Sequence, residues 1–420
     1  MKPFKTIDEQ YDLLVTRGLN FTNKAEAKHF LLNNNYYNVI NCYAKFFMNS
    51  HDKFIEGTTF DEITYLQHYD KEIKAIFFKS ILEAEKHFKA ILAYRFSEKF
   101  RNEKFAYLIA SNYSNKEILQ VTKTIASLSS IISKYKNKPN NSISHYLNKH
   151  YDIPFWILTN YMNFGQLLYF YKYLDDSLQN NIAKDFSYFL KENLDIKSIQ
   201  LTSNTLISFL ENIIEIRNIV AHNNKLLSFK CKGHVHYLKE LHDLYAIPNT
   251  SCKQDVYNVF IIFQTFLSKK QYDHLHNSLL NETKCLRSKL KTIDIPGSVT
   301  QIGEDAFADC KKLQKVTLHE GVKKIGKDAF SCTALEEITI PSTVTKLGKN
   351  AFRWESMEKS SLKKVVIRSK NIKKWGTMVF GATRNDLVIC VPQSKKAEYE
   401  KILRSTNGLD FHAKIVGKNW

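Results

Sequence analysis

The stretch LQKVTLHEGVKKIGKDAFSCTA, residues 313–334, decides the fold of the C-terminal third of the chain, because it recurs there. Each copy starts with alternating apolar residues and continues into a corner of the form Ile-Gly-x-x-Ala-Phe, with leucine once replacing the isoleucine. The leading leucines, 22 to 27 residues apart, are Leu290, Leu313, Leu335, Leu362 and Leu387. One strand and one turn bury little apolar surface alone, so such units are stable only when they stack. The sequence therefore predicts a short solenoid over residues 288–420.

The repeat pattern resembles the BspA-like class of leucine-rich repeats and covers about the last third of the chain. The corners that agree in register are Ile302–Phe307, Ile325–Phe330 and Leu347–Phe352. The fourth unit departs from the pattern at Trp375 and Thr377, and the tail from Glu398 to Trp420 is expected to cap the stack. The resemblance implies a curved scaffold for recognition, for which a protein ligand is one candidate.

Upstream of the repeats, from Lys2 to about Arg287, apolar and aromatic residues recur at three- and four-residue spacing, and glycine and proline are rare. This period predicts an all-α region over residues 1–287, with a subdivision near residues 136–154 as an option. The predicted helices are Ile7–Thr16, Lys24–Leu32, Ile63–Phe100, Lys116–Tyr135, Ile157–Leu174, Ser177–Leu190, Thr205–Val220 and Val256–Leu267. Breaks are predicted at Lys136–Ser142, Asp152–Pro154 and Gly233–Asn249. The expected fold class is thus multidomain, with a helical region followed by a leucine-rich-repeat solenoid.

The chain carries 61 Lys and Arg against 42 Asp and Glu, a formal net charge of +19. An excess of this size attracts polyanions, so nucleic acid is the first partner to test, although an AT-rich genome also yields a Lys-rich composition. No segment has about 18 uninterrupted apolar residues, and no signal peptide is recognisable. The seven cysteines are scattered, which suits reduced thiols. A soluble, cytoplasmic protein without membrane partners is expected.

The most informative helix spans Thr205 to Phe229, TLISFLENIIEIRNIVAHNNKLLSF. An apolar stripe is expected to pass through position 217, where the chain has Arg217, and its other members are Leu206, Leu210, Ile213 and Val220. A polar stripe beside it consists of Glu211, Glu215, Asn218 and His222. An arginine next to an apolar seam must find an anion, because an unpaired buried charge is costly.

Two interpretations of Arg217 and His222 remain open from these residues. In the first, Glu211 or Glu215 neutralises Arg217 in a structural ion pair, and His222 simply lies near a helix end, where a cation is favoured. In the second, Arg217 and His222 act on a ligand. The second is favoured by the whole string, because Arg217-Asn218-x-x-x-His222 matches the R-x(4–6)-H motif of HEPN ribonucleases.

The resemblance extends over about residues 2 to 230 to the Abi-like (AbiD/AbiF) family of bacterial abortive-infection proteins. Its ordered blocks are Lys2-Pro3 to Gln10, Arg17-Gly18-Leu19, Asn35-Tyr36-Tyr37 with Tyr43, Phe60 to Asp70 with Ile81 to Glu85, and Pro154-x-Trp156 with Phe164-Gly165. The chain departs from the family pattern directly after the histidine, where Asn223-Asn224-Lys225-Leu226 replaces a more basic and aromatic run.

The resemblance implies a metal-independent endoribonuclease, acting as a toxin or in anti-phage abortive infection, that uses the ribose 2′-hydroxyl of its RNA substrate as the nucleophile. His222 and its copy in a second subunit would serve as base and acid, and Arg217 would hold the phosphate. Asn218 would orient either the imidazole or the phosphate. A homodimer through this helix is expected, because only one motif is visible. The residues given weaker RNA-binding or tuning roles are Glu211, Glu215, Lys225 and Glu85.

Two other function classes stay open, a non-catalytic RNA-binding protein and an interaction scaffold built on the repeats. One cluster has side chains of the types that bind zinc, namely Cys231-x-x-His234-x-His236 with His242 and Cys252 nearby. Its spacing fits no common zinc-finger motif. No metal ion or other cofactor is therefore expected.

Overall fold

The computed structural model describes residues 4–48, 52–355, 360–406 and 409–420. Lys2 and Pro3 of the first resemblance block, and residues 356–359 of the third repeat, lie outside the described residues. The chain divides into two compact units, one formed by Met1–Tyr69 with Asn281–Trp420 and the other by Asp70–Leu280. The predicted boundary between residues 287 and 288 marks the change from helix to strand. It does not mark the division into units, because residues up to Tyr69 pack with the repeats.

Helices fill the chain up to residue 287, as the apolar period predicts, and repeated short strands follow. The helices are α1 (Ile7–Thr16), α2 (Lys24–Asn34), α3 (Phe60–Lys99), α4 (Ile118–Tyr135), α5 (Ser142–His150), α6 (Phe155–Leu158), α7 (Phe164–Lys172), α8 (Asp176–Leu194), α9 (Ser203–Ala221), α10 (Lys239–His242), α11 (Val256–Ile262), α12 (Lys269–Arg287) and α13 (Lys396–Thr406). The predicted bounds of α1 agree with the structure, and those of α3, α4 and α9 are correct within three residues at each end.

The predicted helix Ile157–Leu174 is wrong as a single helix. The chain instead forms α6, a 3₁₀ turn at Thr159–Tyr161 and α7, with an extended backbone at Met162. The break has a local cause, because Asn163 and Gln166 form a reciprocal capping box at the start of α7.

The predicted break at Lys136–Ser142 overlaps the start of α5, which begins at Ser142. The Asn141 side chain accepts a hydrogen bond from the Ser144 amide and caps α5. The helical period is predicted to run to about Arg287, and α12 fills its last part with 19 residues, although no individual helix is predicted there. Similarly, α11 ends at Ile262 and continues only as the 3₁₀ turn Phe263–Thr265.

The core of the unit Asp70–Leu280 is rich in aromatic rings that pack around the buried face of α3. Phe88 meets Tyr171 edge-on at 5.6 Å between ring centroids, and Phe96 meets Phe170 at 5.1 Å. Phe170 also stacks on Phe155 at 4.4 Å. These rings are fully or almost fully buried, so α3, α6 and α7 are held together by apolar packing.

In the repeats, each copy adds one strand to a parallel sheet, and a second set of two-residue strands forms at the corners. The strands are β1 (Thr292–Ile295), β2 (Gln301–Ile302), β3 (Lys315–Leu318), β4 (Lys324–Ile325), β5 (Glu337–Ile340), β6 (Lys346–Leu347), β7 (Lys364–Ile367), β8 (Lys374–Trp375), β9 (Val388–Pro392) and β10 (Lys414–Lys418). The sheet orders are β1-β3, β5-β7-β9-β10 and β2-β4-β6-β8. All pairs are parallel and in the register of the repeat, as at Ile338↔Val365 and Ile325↔Leu347. The predicted solenoid is confirmed.

The corner phenylalanines form a continuous ladder of stacked rings. The centroid distances are 5.2 Å for Phe307–Phe330, 5.4 Å for Phe330–Phe352 and 5.4 Å for Phe352–Phe380, with interplanar angles of 11° or less. Because each ring covers the next, one copy of the repeat completes the core of its neighbour.

The corner glycines form a second column, in which backbone touches backbone. A β-carbon placed on Gly348 would lie 2.4 Å from the carbonyl carbon of Gly326, and one on Gly376 would lie 2.3 Å from that of Gly348. At Gly303, the first member of the column, the same β-carbon would meet nothing within 4 Å. Glycine is therefore required by close approach inside the column but not at its start.

The departures of the last repeats have a packing reason. Trp375 lies edge-on to Tyr399 of α13 at 5.1 Å, and the Tyr399 hydroxyl donates to the Ser369 carbonyl at 3.2 Å. The tail then returns as β10, which pairs with β9. Trp375 thus provides a surface for the helix that follows the repeats.

At the other end of the repeats, Glu62 of α3 joins the N-terminal segment to β1. Its carboxylate is 1% exposed and accepts hydrogen bonds from the amides of Lys291 at 2.7 Å and Thr292 at 2.9 Å. The other oxygen of Glu62 accepts from the Thr59 amide at 2.9 Å. This network is one of the connections between residues up to Tyr69 and the repeats within their common unit.

Candidate functional site

The helix α9 carries the motif residues and is anchored by its apolar face. Thr202 caps its start by accepting a hydrogen bond from the Thr205 amide. Its fully buried apolar residues are Leu206, Phe209, Leu210, Ile213 and Ile216. The apolar seam therefore passes through Ile216, and the expectation that it passes through position 217 is wrong, because steps of three and four residues lead from Ile213 to Ile216 and then to Val220.

The C-terminus of α9 holds His222 at the surface. The His222 amide donates to the Asn218 carbonyl at 3.1 Å, and the next residue, Asn223, has a left-handed backbone with φ of +52°. The amides of Asn223 and Asn224 then donate back to the carbonyls of Val220 and Ile219. This is the Schellman pattern of helix termination, in which asparagine tolerates the left-handed position. His222, the last residue before that turn, is exposed.

Arg217, Asn218 and His222 lie together at this end of the helix. Asn218 and His222 are exposed, and Arg217 is half-buried. The Arg217 guanidinium makes a long hydrogen bond of 3.4 Å to the Asn218 side-chain oxygen. Within residues 4–48, 52–355, 360–406 and 409–420, no carboxylate lies within ion-pair distance of Arg217. The donors of Arg217 are thus largely uncommitted within the described part of the chain.

The two glutamates on the same helix have other partners. Glu211 forms an ion pair with Lys172 of α7, at 2.7 Å between Oε1 and Nζ. Glu215 accepts a hydrogen bond from the Lys232 amide at 2.8 Å. The structure therefore does not have the ion pair of Arg217 with Glu211 or Glu215 that one interpretation of the sequence proposed.

The Lys172–Glu211 pair has a defined electrostatic effect. Partial burial of Lys172 lowers its pKa, but the hydrogen bond and the charge of Glu211 outweigh that cost, so the pKa of Lys172 is raised overall. Both groups are about one-third exposed, at 30% and 39%, so the pair fixes a geometry more than it contributes stability.

Sequence reasoning missed two residues that hold the loop after His222. Asp70 of α3 is fully buried, and its carboxylate accepts hydrogen bonds from the amides of Leu226 at 3.1 Å and Leu227 at 2.8 Å. Lys74, one turn later, lies 3.2 Å from the Asp70 carboxylate and donates to the Asn223 side chain at 2.7 Å. The left-handed residue after His222 is therefore fastened to α3 by a buried ion pair.

The remaining predicted site residues have different fates. Lys225 is half-buried on the loop that Asp70 holds, close in sequence to His222. Glu85 lies on α3 at 3.9 Å from Lys89, and about 22 Å along the helix from Asp70 at 1.5 Å per residue. The structure thus does not bring Glu85 to the end of α9.

The sulfur- and histidine-rich loop does not assemble into a ligand group. Cys231 is buried, which raises the pKa of its thiol to about 12. His242 is also buried, with its Nδ1 bound to the Leu238 backbone. Over the residues that the structure describes, no three side chains of His, Cys, Asp or Glu are placed to hold one metal ion.

Comparison with known proteins agrees with the order of the two regions. The model of the Abi-like protein family matches residues 29–228, and that of the BspA type leucine rich repeat region matches residues 281–401 in six copies. The chain thus joins a region similar to Abi-like proteins to a region similar to BspA-type repeats, which confirms both resemblances. A search of curated proteins finds no match.

Two solved structures are similar over small parts of the chain. The pneumococcal vaccine antigen PcpA is 20% identical over 31% of this chain and 36% of its own, with a TM-score of 0.24. A leucine-rich repeat protein from Bacteroides ovatus is 22% identical over 25% of this chain and 40% of its own, with a TM-score of 0.14. This chain therefore spans two-fifths or less of either protein. Among the residues that the structure describes, no helix has the length and apolar character needed to cross a membrane.

Proposed function

We propose that the helical region is a metal-independent endoribonuclease of the HEPN type that acts in abortive infection. One observation carries the proposal: Arg217, Asn218 and His222 share the exposed end of α9, and the nearby carboxylates are bound to Lys172 and to the Lys232 amide instead of Arg217. The match of residues 29–228 to the Abi-like family supports the biological role.

The chemistry needs a base, an acid and a cation. The His222 imidazole removes the proton of a ribose 2′-hydroxyl, because a neutral imidazole has one ring nitrogen that can accept a proton. The 2′-oxygen forms a bond to phosphorus, the bond from phosphorus to the 5′-oxygen breaks, and a second imidazole protonates that oxygen. Arg217 binds the phosphate and offsets the charge that develops in the transition state. The products are a 2′,3′-cyclic phosphate and a 5′-hydroxyl.

The second imidazole comes from a second copy of the chain. The motif occurs once, and the exposed surface at the end of α9, formed by Asn218, Ala221 and His222, is free of the core. A two-fold contact along this surface would place two copies of His222 on one phosphodiester, with the same patch contributed by each subunit.

The loop network fixes the position of the base. Asp70 and Lys74 hold residues 223–227 from the buried side, which leaves the His222 side chain facing outward at the helix end. Asp70 and Lys74 are positioning residues in this scheme, since they bind the loop and not the substrate.

The test compares the purified full-length protein with His222→Ala on total bacterial RNA and on tRNA, with and without EDTA. We expect cleavage with 2′,3′-cyclic phosphate ends that survives the chelator, and a rate lower by about 10²- to 10⁴-fold in the variant. The matched control is His150→Ala, because His150 is also exposed and ends a helix.

Cleavage by His222→Ala at the wild-type rate would overturn the proposal, as would ends with a 5′-phosphate. RNA binding without any cleavage would favour the non-catalytic RNA-binding function that the net charge of +19 also supports.

A further inference from the structure

A groove runs along the C-terminal half of α3, apart from the end of α9. It has a volume of about 770 Å³. One wall is formed by α3 from Lys86 to Glu98 together with Arg101 just beyond its end, and the other by residues from Trp156 to Asn160, in α6 and the turn that follows. Ser97, which lines the groove, lies 27 residues beyond Asp70, which at 100° per residue places it half a turn around the helix. The groove therefore lies on the side of α3 opposite to the Asp70 carboxylate.

The charges along the groove are predominantly positive. Lys86 forms an ion pair with Glu83 at 3.6 Å, and Lys89 forms one with Glu85 at 3.9 Å, both longer than a direct hydrogen bond. Arg101 is exposed, and within the described residues it has no ion-pair partner. The one carboxylate that lines the groove, Glu98, is already bound by Arg95 and by the Tyr94 hydroxyl. This arrangement suits a polyanion, because three cations line the groove against one carboxylate, and the acids paired with Lys86 and Lys89 are not part of the lining.

Two aromatic rings are exposed in the same groove. Tyr94 is 62% exposed and Trp156 is 52% exposed. Trp156 is the single tryptophan of the unit Asp70–Leu280, and most phenylalanine side chains of this unit are buried in its core, so an indole held at the surface beside cations is unusual. Aromatic faces next to Lys and Arg form the stacking platforms on which unpaired nucleobases bind.

We propose that this groove binds a single strand of RNA. Bases stack on Trp156 and Tyr94, and the side chains of Lys86, Lys89 and Arg101 bind the phosphates. The part of the wall on α3, from Lys86 to the helix end at Lys99, is about 20 Å long, which accommodates about six stacked nucleotides at 3.4 Å each. The choice of RNA over DNA rests on the proposed function. The groove serves as a substrate-holding site, since even its nearest end, at Lys86, lies about 24 Å along α3 from Asp70.

Binding is measured by fluorescence anisotropy, with a labelled 12-nucleotide oligouridylate and full-length His222→Ala, which keeps the probe intact. We expect Trp156→Ala to weaken binding about fivefold or more, and Trp156→Phe to restore most of it, because the ring is what stacks. The matched control is Tyr188→Ala with Lys184→Gln on α8, because Tyr188 is 68% exposed and Lys184 is exposed.

The salt dependence separates the two kinds of contact. The double variant Lys86→Gln with Arg101→Gln should reduce the slope of log affinity against log salt by about 0.7 for each phosphate contact that is lost. Trp156→Ala should leave that slope unchanged. The same oligonucleotide as DNA, a duplex RNA and vesicles of anionic lipid are the competing probes.

Equal affinities of the groove variants and the α8 control would overturn the proposal, as would a preference for duplex RNA or for the vesicles. The outcome is distinguishable from a failure of the proposed function. Loss of binding in the groove variants without any cleavage by the wild type would retain the groove and reject the nuclease. If the wild type cleaves RNA and the groove variants change neither cleavage nor binding, the nuclease is retained and the groove is rejected.

Discussion

The repeats and the helical unit organise the same kinds of side chain in opposite ways. In the repeats, one position is explained by its copies, as the ladder from Phe307 to Phe380 shows. In the helical unit, a buried charge has partners of its own, as Asp70 has the amides of Leu226 and Leu227. A functional site is therefore easier to locate in the helical unit, whose sequence does not repeat. A buried charge there cannot be explained by its copies and must have its own structural or functional role.

Two residues of α3 show the same contrast between the units. Glu62 and Asp70 are both buried carboxylates that accept backbone amides, with exposures of 1% and 0%. Glu62 binds the first repeat strand within its unit, and Asp70 binds the loop after His222 within the other unit. Each unit therefore contains a buried acid of α3 that makes a long-range connection.

The largest effect is expected for Asp70→Ala. Loss of the carboxylate leaves Lys74 buried without its counter-charge, which costs about 3 to 5 kcal/mol. Urea unfolding measures the loss, and hydrogen exchange at the Leu226 and Leu227 amides should locate it. Asp273→Ala on α12, an exposed acid in the same unit, should change stability by less than about 0.5 kcal/mol. Equal effects of the two substitutions would show that the buried network contributes nothing.

A slightly smaller effect is expected for Glu62→Ala, which removes the acceptor of the amides of Lys291 and Thr292. Buried donors left without a partner cost about 1 to 3 kcal/mol each, so about 3 kcal/mol is expected in total. Hydrogen exchange should increase at β1 and β3 while the amides of Leu226 and Leu227 stay protected. Faster exchange at Leu226 instead would contradict the assignment of Glu62 to the repeats.

The glycine column gives the next smaller effect. Gly348→Ala forces the backbone of two copies apart and should destabilise the repeats by about 1 to 3 kcal/mol. Gly303→Ala is the matched control at the equivalent corner, where a methyl group meets nothing, and it should be neutral within about 0.5 kcal/mol. Thermal unfolding of both variants checks the difference, and a cost at Gly303 as large as that at Gly348 would reject close approach as its cause.

The smallest effect is a pH dependence that belongs to the helical unit. Burial lowers the pKa of His242, so the unfolded chain takes up the proton first as the pH falls. The stability of the wild type should therefore decrease as the pH falls through about 6.5, the ordinary value, towards the lower pKa of the folded state. Urea midpoints at pH 7.5 and 5.5 for the wild type and His242→Gln test this. The variant should show the smaller difference, and an identical pH dependence would remove His242 as its source.

Local patterns were enough to predict the repeats and most helices. The spacing of leucines such as Leu313 and Leu335 fixes the register of the solenoid, because one strand per copy must stack on the next. The break before α7 was also readable, since Asn163 and Gln166 are the capping-box residues, but the apolar run around them concealed it. Asn141 similarly looked like part of a loop, although it starts α5.

Only part of the candidate site could be predicted from the sequence. Arg217, Asn218 and His222 could be found by their spacing, but the partners of Glu211 and Glu215 come from α7 and from the loop at Lys232. Asp70 is about 156 residues away from the amides that it binds. A local signal for it does exist, because Asp70 occupies the apolar stripe that continues through Ile73, Phe77 and Ile81.

The order of the units along the chain has a consequence for how the protein is made. The unit that contains the repeats begins with residues up to Tyr69 and resumes only at Asn281. At about 5 to 20 residues per second, a ribosome needs roughly 10 to 40 seconds to synthesise the intervening stretch. During that interval Glu62 has been synthesised, but β1, whose amides it binds, has not. The inserted helical unit, by contrast, is contiguous and can fold as soon as it emerges.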